Sequence, residues 1–311
     1  MTARHDDGAL KIIDVGPTRI NRLNDRFAKY LLTGPRSKPV LIDFINEALL
    51  FSGDDRVSDV EAVSGELAQG AAKLKLSVLD VSARLTDGRT ADIEIQVVNY
   101  HDFRKRGPFY WALRHARKLM SGMAYAEIKP TITICLLAFD LLEEEEAYRN
   151  SYSIRNDKSG NCLSQDMNII YLELPKFRRH LGDGYARTGL ERWLLYFSNE
   201  EGERMDRAVA ENPALSTARE IETVFWADEK EREQYFAHQR MLMDAYSAEH
   251  THEYLIAEAK KEGREEGKKE GREEGEKEGV EKVARSMLAK GISIAAISEC
   301  TGLDEKAILS L

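Results

Sequence analysis

The side chains best placed to do chemistry are Asp80, Glu94 and Gln96, which fall in a stretch, 78–96, that reads as two short apolar strands around Thr86-Asp87-Gly88. Alternation along the second strand puts Ile93, Ile95 and Val97 on one face and Glu94 and Gln96 on the other. The turn decides whether Asp80 joins them. A three-residue loop of Thr86, Asp87 and Gly88, with the glycine in the left-handed position of a bulge, pairs Leu85 with Arg89 and sets Asp80 opposite Glu94. A two-residue Asp-Gly turn would shift the register by one and part the two carboxylates. We expect the three-residue loop. Facing carboxylates repel unless a cation or a shared proton lies between them, and a hard divalent ion prefers such oxygen ligands.

The elements that must hold these groups can be read around them. The pattern predicts a helix over 19–34 that stops near Gly34-Pro35. A second opens at Ser37 or Lys38, with Leu41, Phe44, Ile45, Ala48 and Leu49 on one stripe. The hairpin is expected over 73–98, followed by a helix from about 106 to 126 carrying Tyr110, Leu113, Met120, Met123 and Ala124 on its apolar positions. The continuous apolar run 131–139 reads as a buried central strand and 167–174 as another. Beyond Pro175 the chain turns helical, over 190–197 and 218–259.

Gly263, Gly267, Gly271, Gly275 and Gly279 punctuate a Glu/Lys/Arg stretch at every fourth residue. Each glycine costs a helix about 1 kcal/mol relative to alanine, partly offset by i,i+4 Glu–Lys pairs. A marginal helical spacer is the reading favoured over a specific oligomerisation device. The last segment, 280–311, reads as helix-turn-helix in outline: Val280, Val283, Ala284, Met287 and Leu288 form a stripe, Gly291 ends that helix and Ser293 caps the next. Its stripe must pack on the final helix or on another subunit, so a homo-oligomer through these helices is a possible arrangement. Its few bases favour an interaction module over a DNA reader.

Charged residues make up 32% of the 311-residue chain, and mean hydropathy is −0.47, as in a core-bearing protein with a charged tail. No stretch approaches a membrane span, the N-terminus has no apolar signal region, and Cys135, Cys162 and Cys300 suggest neither a disulfide framework nor a zinc site. A cytoplasmic protein is expected, with Cys135 a core thiol. The net charge of −9 argues against indiscriminate nucleic-acid binding, yet 103–123 carries Arg104, Lys105, Arg106, Arg114, Arg117 and Lys118 without an acid. That run is either a phosphate-binding surface or a solvated helix face. Tyr110, Trp111 and Tyr125 could stack on bases, with the core the favoured place for Trp111. His101 and His115 lack a partner spacing and receive no role.

Taken in order, these blocks resemble the recombination-promoting nuclease (Rpn) and transposase family of the PD-(D/E)XK nuclease superfamily. The resemblance is carried by Asp25-Arg26-Phe27-Ala28-Lys29-Tyr30-Leu31-Leu32, by the 41–50 block around Glu47, and by Asp80 with Ile93-Glu94-Ile95-Gln96. Phe103-Arg104-Lys105-Arg106 with Tyr110, Gly122 with Tyr125, the strand 130–139, and the Gly-Glu-Lys repeat with Thr301-Gly302-Leu303 complete it. It implies an α/β restriction-endonuclease-like core, a mixed central sheet flanked by helices, with a helical C-terminal extension. The corresponding division is 1–200 for the nuclease-like domain, 201–260 for a helical extension, 261–279 for the spacer and 280–311 for the terminal module. It further implies Mg²⁺, with Mn²⁺ a substitute, held by Asp80, Glu94, the Ile95 carbonyl and Glu47, and DNA as the partner. Asp80, Glu94 and Gln96 would be the catalytic set, and Arg104, Arg106, Tyr110 and Lys118 the DNA contacts. Gln96 stands where the superfamily usually has lysine; glutamine can orient water but brings no charge. A base on the following helix, such as Arg104 or Arg106, could supply it. The expected activity is a Mg²⁺-dependent DNA endonuclease; the alternative is a catalytically weak or inactive binding and assembly protein on the same fold.

Overall fold

The computed structural model describes residues 19–63, 79–99, 102–119 and 123–311. His101, Met120, Gly122 and the first half of the expected 73–98 hairpin strand lie outside them, as does the side chain of Asp80, whose backbone is described. Contacts divide the chain into two compact units, Met1–Tyr246 and Ser247–Leu311.

Apolar alternation and turn chemistry account for the mixed sheet that the described residues of the first unit form, with six strands. Its strands are β1 (Val60–Val63), β2 (Leu79–Leu85), β3 (Thr90–Gln96), β4 (Thr131–Leu137), β5 (Arg149–Tyr152) and β6 (Met167–Glu173), in the order β1-β2-β3-β4-β6-β5. β3, β4 and β6 run parallel; β1, β2 and β5 pair antiparallel with their neighbours. The continuous apolar run reads true as β4, buried at every position. In the β2–β3 turn, Leu85 N–H donates to Arg89 O at 2.9 Å and Gly88 N–H to Leu85 O at 3.0 Å, with Gly88 at φ +85°. This is the three-residue bulged loop, and Asp80 stands directly opposite Glu94.

One face of the sheet carries the main core. Val81, Ala83, Ile93, Ile95, Ile134 and Leu172 pack there with helices α1 (Asp25–Thr33) and α2 (Lys38–Leu49). The same cluster takes in Trp193, Leu215, Phe225 and Tyr235 from residues past the strands, with no break at 200. α1 begins later than 19 because the Asn24 side chain accepts from Arg26 N–H and Phe27 N–H and caps it there. The opposite face is covered by α3 (Phe103–Ala116), with Phe103, Cys135, Leu137, Ile169 and Tyr171 in a second cluster against which Trp111 packs. α3 therefore starts before 106 and, contrary to expectation, does not run to 126. Beyond Ala116 the chain tightens into a turn, Lys118 N–H donating to His115 O, and residues 125–127 form a separate 3-10 turn.

Five further helices follow among the described residues: α4 (Leu174–Leu181), α5 (Gly189–Phe197), α6 (Glu203–Ala210), α7 (Pro213–Ala227) and the 61-residue α8 (Glu229–Ala289). Arg22 ties several of them together. Its buried guanidinium meets Glu222 and Glu201, each at 2.5 Å, and donates to the carbonyls of Tyr196 and Glu200. Within the second unit, α9 (Ile294–Thr301) is capped by Ser293 and α10 (Glu305–Leu309) by Asp304. Ala284, Ile297 and Ile308 are its buried centre, joined by Met287 and Leu288, so most of the expected stripe packs on its own helices and Val283 is left exposed. The glycine repeat is helical, and an added Cβ at any of its five glycines would meet only open space.

Candidate functional site

The site is built on β2 and β3. Because side chains alternate, Asp92, Glu94 and Gln96 share the face that α3 covers, while Ile93 and Ile95 enter the main core. Glu94 is wholly buried and Gln96 is 4% exposed. Gln96 Nε2 donates to Glu94 Oε1 at 3.4 Å. A row of cross-strand neighbours runs Asp80, Glu94, Cys135, Tyr171. Burial first, then the Cys135 and Glu94 charges, push the Tyr171 hydroxyl well above the usual phenol range, so it stays protonated beside the carboxylate.

The adjacent row contains a group that sequence reasoning passed over. Asp92 accepts from Ser82 Oγ, its partner across the hairpin, and its Oδ2 lies 3.3 Å from Arg114 Nη1 on α3. Both side chains are largely shielded, at 12% for Arg114 and 4% for Asp92. The signal was present: Asp92 falls on the same alternation as Glu94. Arg114 faces the sheet with Phe103 and Gly107 because those positions recur at helical spacing.

The other expected residues are dispersed. Glu47 lies on α2, whose apolar stripe packs with Ile93 and Ile95 on the far face; its carboxylate pairs with Arg56 at 3.0 Å and crowds Gly189. Glu47 is not brought together with Glu94. Arg104 pairs with Glu144, from the acidic run, and donates to Leu141 O at 3.2 Å. Arg106 lies over the Phe103 and Tyr110 rings and 3.8 Å from Asp102. Lys118 donates to the carbonyls of Lys129 and Pro130 at 3.2 and 3.0 Å, and burial pushes its ammonium down to about 8. Trp111 is a packing residue whose Nε1 donates to Thr131 O at 2.9 Å, and its ring stacks on His115. Tyr125 is exposed.

Among the described residues no cluster of three or more His, Cys, Asp or Glu side chains is arranged to hold a metal ion. The chemistry of the donor set nevertheless suits a hard divalent cation: a buried carboxylate at Glu94, a second acid at the facing position 80, and backbone carbonyl oxygen between Glu94 and Gln96. No helix among the described residues is long and apolar enough to cross a membrane. A comparison with curated proteins and one with solved structures find no match to this chain. The family model for PD-(D/E)XK nuclease family transposases matches residues 22–252, from Arg22 through both rows of the site and into α8. The chain belongs to the PD-(D/E)XK nuclease family of transposases.

Proposed function

We propose that this protein is a divalent-metal-dependent DNA endonuclease that hydrolyses phosphodiester bonds in recombination or transposition. The observation that carries this reading is the register that sets Asp80 directly opposite Glu94, with the Gln96 amide on the Glu94 carboxylate. Asp80, Glu94 and the Ile95 carbonyl are the residues that would hold Mg²⁺. Glu47, engaged by Arg56, is left out of that set. When bound, the ion supplies a more acidic water and neutralises charge on the phosphoryl group. Gln96 positions the Glu94 carboxylate and can orient a water through its amide.

Two observations favour the second reading, a non-catalytic binding protein: Glu94 is completely buried, and Gln96 brings no cation. Incubating supercoiled and single-stranded DNA with the full chain in Mg²⁺, Mn²⁺, Ca²⁺ or EDTA separates the two. The endonuclease reading expects cleavage in Mg²⁺ or Mn²⁺, none in EDTA, and none from folded Asp80→Ala or Glu94→Ala. Metal-independent cleavage, or undiminished cleavage by Asp80→Ala, would overturn it. Metal-independent DNA binding with no cleavage supports the second.

A further inference from the structure

We propose that Arg114 is the cation that grips a non-bridging oxygen of the scissile phosphate, and that Asp92, itself steadied by Ser82, is the positioning residue that aims it. This rests on the endonuclease reading and names the residue that would do for it what the lysine absent at position 96 does elsewhere in the superfamily.

The bases that the sequence brought forward have other work. Arg104 is bound to Glu144, Arg106 lies over two rings, and Lys118 closes off the carbonyls that enter β4. All three are set by contacts on or beside α3 itself. Arg114 is turned inward instead, onto the face that holds Glu94. Asp92 and Glu94 are two residues apart on β3, so their Cα atoms stand about 6.5–7 Å apart along the strand. That is within the reach of one arginine side chain, which can bridge from the Asp92 row towards the Asp80–Glu94 row. The two rows thus divide the chemistry: position 80 with Glu94 offers oxygen ligands, and Ser82 with Asp92 offers an anchor for a guanidinium.

Guanidinium suits the task. Its planar fork of N–H donors matches phosphate oxygens, and it keeps its proton at every working pH. It therefore donates hydrogen bonds and positive charge to the phosphoryl group and takes no part in proton transfer. In a face this shielded from water, such a donor stabilises developing negative charge far more than an exposed base on the helix surface can.

The competing explanation is a plain structural ion pair fastening α3 to the sheet, and the two predict different double-mutant behaviour. Breaking a buried pair on one side leaves a stranded charge, whereas removing both charges relieves it. The test compares full-length Arg114→Gln, Asp92→Asn and the double variant for melting temperature, Mn²⁺ binding by calorimetry, binding to a DNA duplex in Ca²⁺, and single-turnover cleavage in Mg²⁺. We expect the double variant to regain near wild-type melting and bind Mn²⁺ within a few-fold of wild type, yet to cleave about 100-fold or more slowly. Its duplex affinity should fall with a shallower salt dependence. Arg114→Lys, which keeps the charge, should recover part of the rate. Cleavage restored in the double variant along with stability would overturn the proposal. Asp80→Ala run alongside separates the outcomes: if it is inert while folded Arg114→Gln cleaves normally, only the role of Arg114 falls. If Asp80→Ala cleaves normally, the endonuclease site itself has been misplaced.

Discussion

Gly107 on α3 lies so close to Tyr171 on β6 that a Cβ there would stand 2.5 Å from the tyrosine hydroxyl oxygen. The close approach seats the helix on the row containing Glu94, Cys135 and Tyr171. Tyr171 is itself buried, so its ring cannot swing away freely. Gly107→Ala should therefore destabilise the fold by about 1–3 kcal/mol through overpacking. Combining it with Tyr171→Phe should recover much of that loss, because the nearest remaining ring atom is 3.5 Å away. Urea unfolding of the two single variants and the double measures the coupling; additive losses would refute the steric account.

Gly88→Ala should cost about 1–2 kcal/mol, the penalty of a left-handed backbone for a residue with a Cβ. Gly88 has φ +85°, and the added methyl would also meet Lys129 Cγ at 3.2 Å. Gly88→Asn should be milder, since asparagine tolerates that region better. Thermal melts rank the three proteins, and equal stability of Ala and Asn variants would show that the turn relaxes.

Lys118 gives the molecule a pH dependence with a definite sign. Its folded ammonium is lowered to about 8 from 10.5 for an ordinary lysine, with burial the leading cause. Between those values the unfolded chain binds more protons, so the contribution of this group to stability grows as pH rises through the window and is lost as pH falls through about 8. The neutral amine retains two N–H donors for the two carbonyls it serves. The melting temperature of wild type minus that of Lys118→Met should increase from about pH 7.5 to about pH 10. A constant difference would mean that the amine is solvated like any surface lysine.

Deleting residues 261–311 should leave the melting transition of the remaining chain within a few degrees of wild type and, under the proposed function, spare cleavage. None of the residues removed belongs to the apolar cluster built around the sheet, and those at its own centre, Ala284, Ile297 and Ile308, pack with one another. Differential scanning calorimetry of the truncated and full chains checks this; loss of the main transition would assign the segment to the core.

The hairpin register was legible because a Thr-Asp-Gly loop leaves few geometries open, and the glycine takes the one with positive φ. The strand 131–137 was legible because both of its faces are covered. Ser293 declared the start of α9 by local capping, which depends on nothing distant. What escaped depends on partners far along the chain. Nothing near Arg22 announces Glu222, and nothing near Arg104 announces Glu144, although a basic stretch and an acidic run in one molecule were both visible. Similarly, the charge count of α3 could not tell which bases point at water; packing turned Arg114 inward and left Lys105 outside. Glu47 was placed by resemblance, and the fold sets it on the other side of the sheet.

The pairing of β3 with both an antiparallel hairpin partner and a parallel one bears on the order in which the molecule is assembled. Position 80 meets Glu94 within a local hairpin, but Cys135 and Tyr171 join that row only through long parallel connections. Local contacts close quickly and distant parallel pairings slowly. A chain emerging from the ribosome therefore presents its acidic row to solvent first, when water can screen it, and covers it only after α3, β4 and β6 have been synthesised. The most polar part of the sheet is covered last.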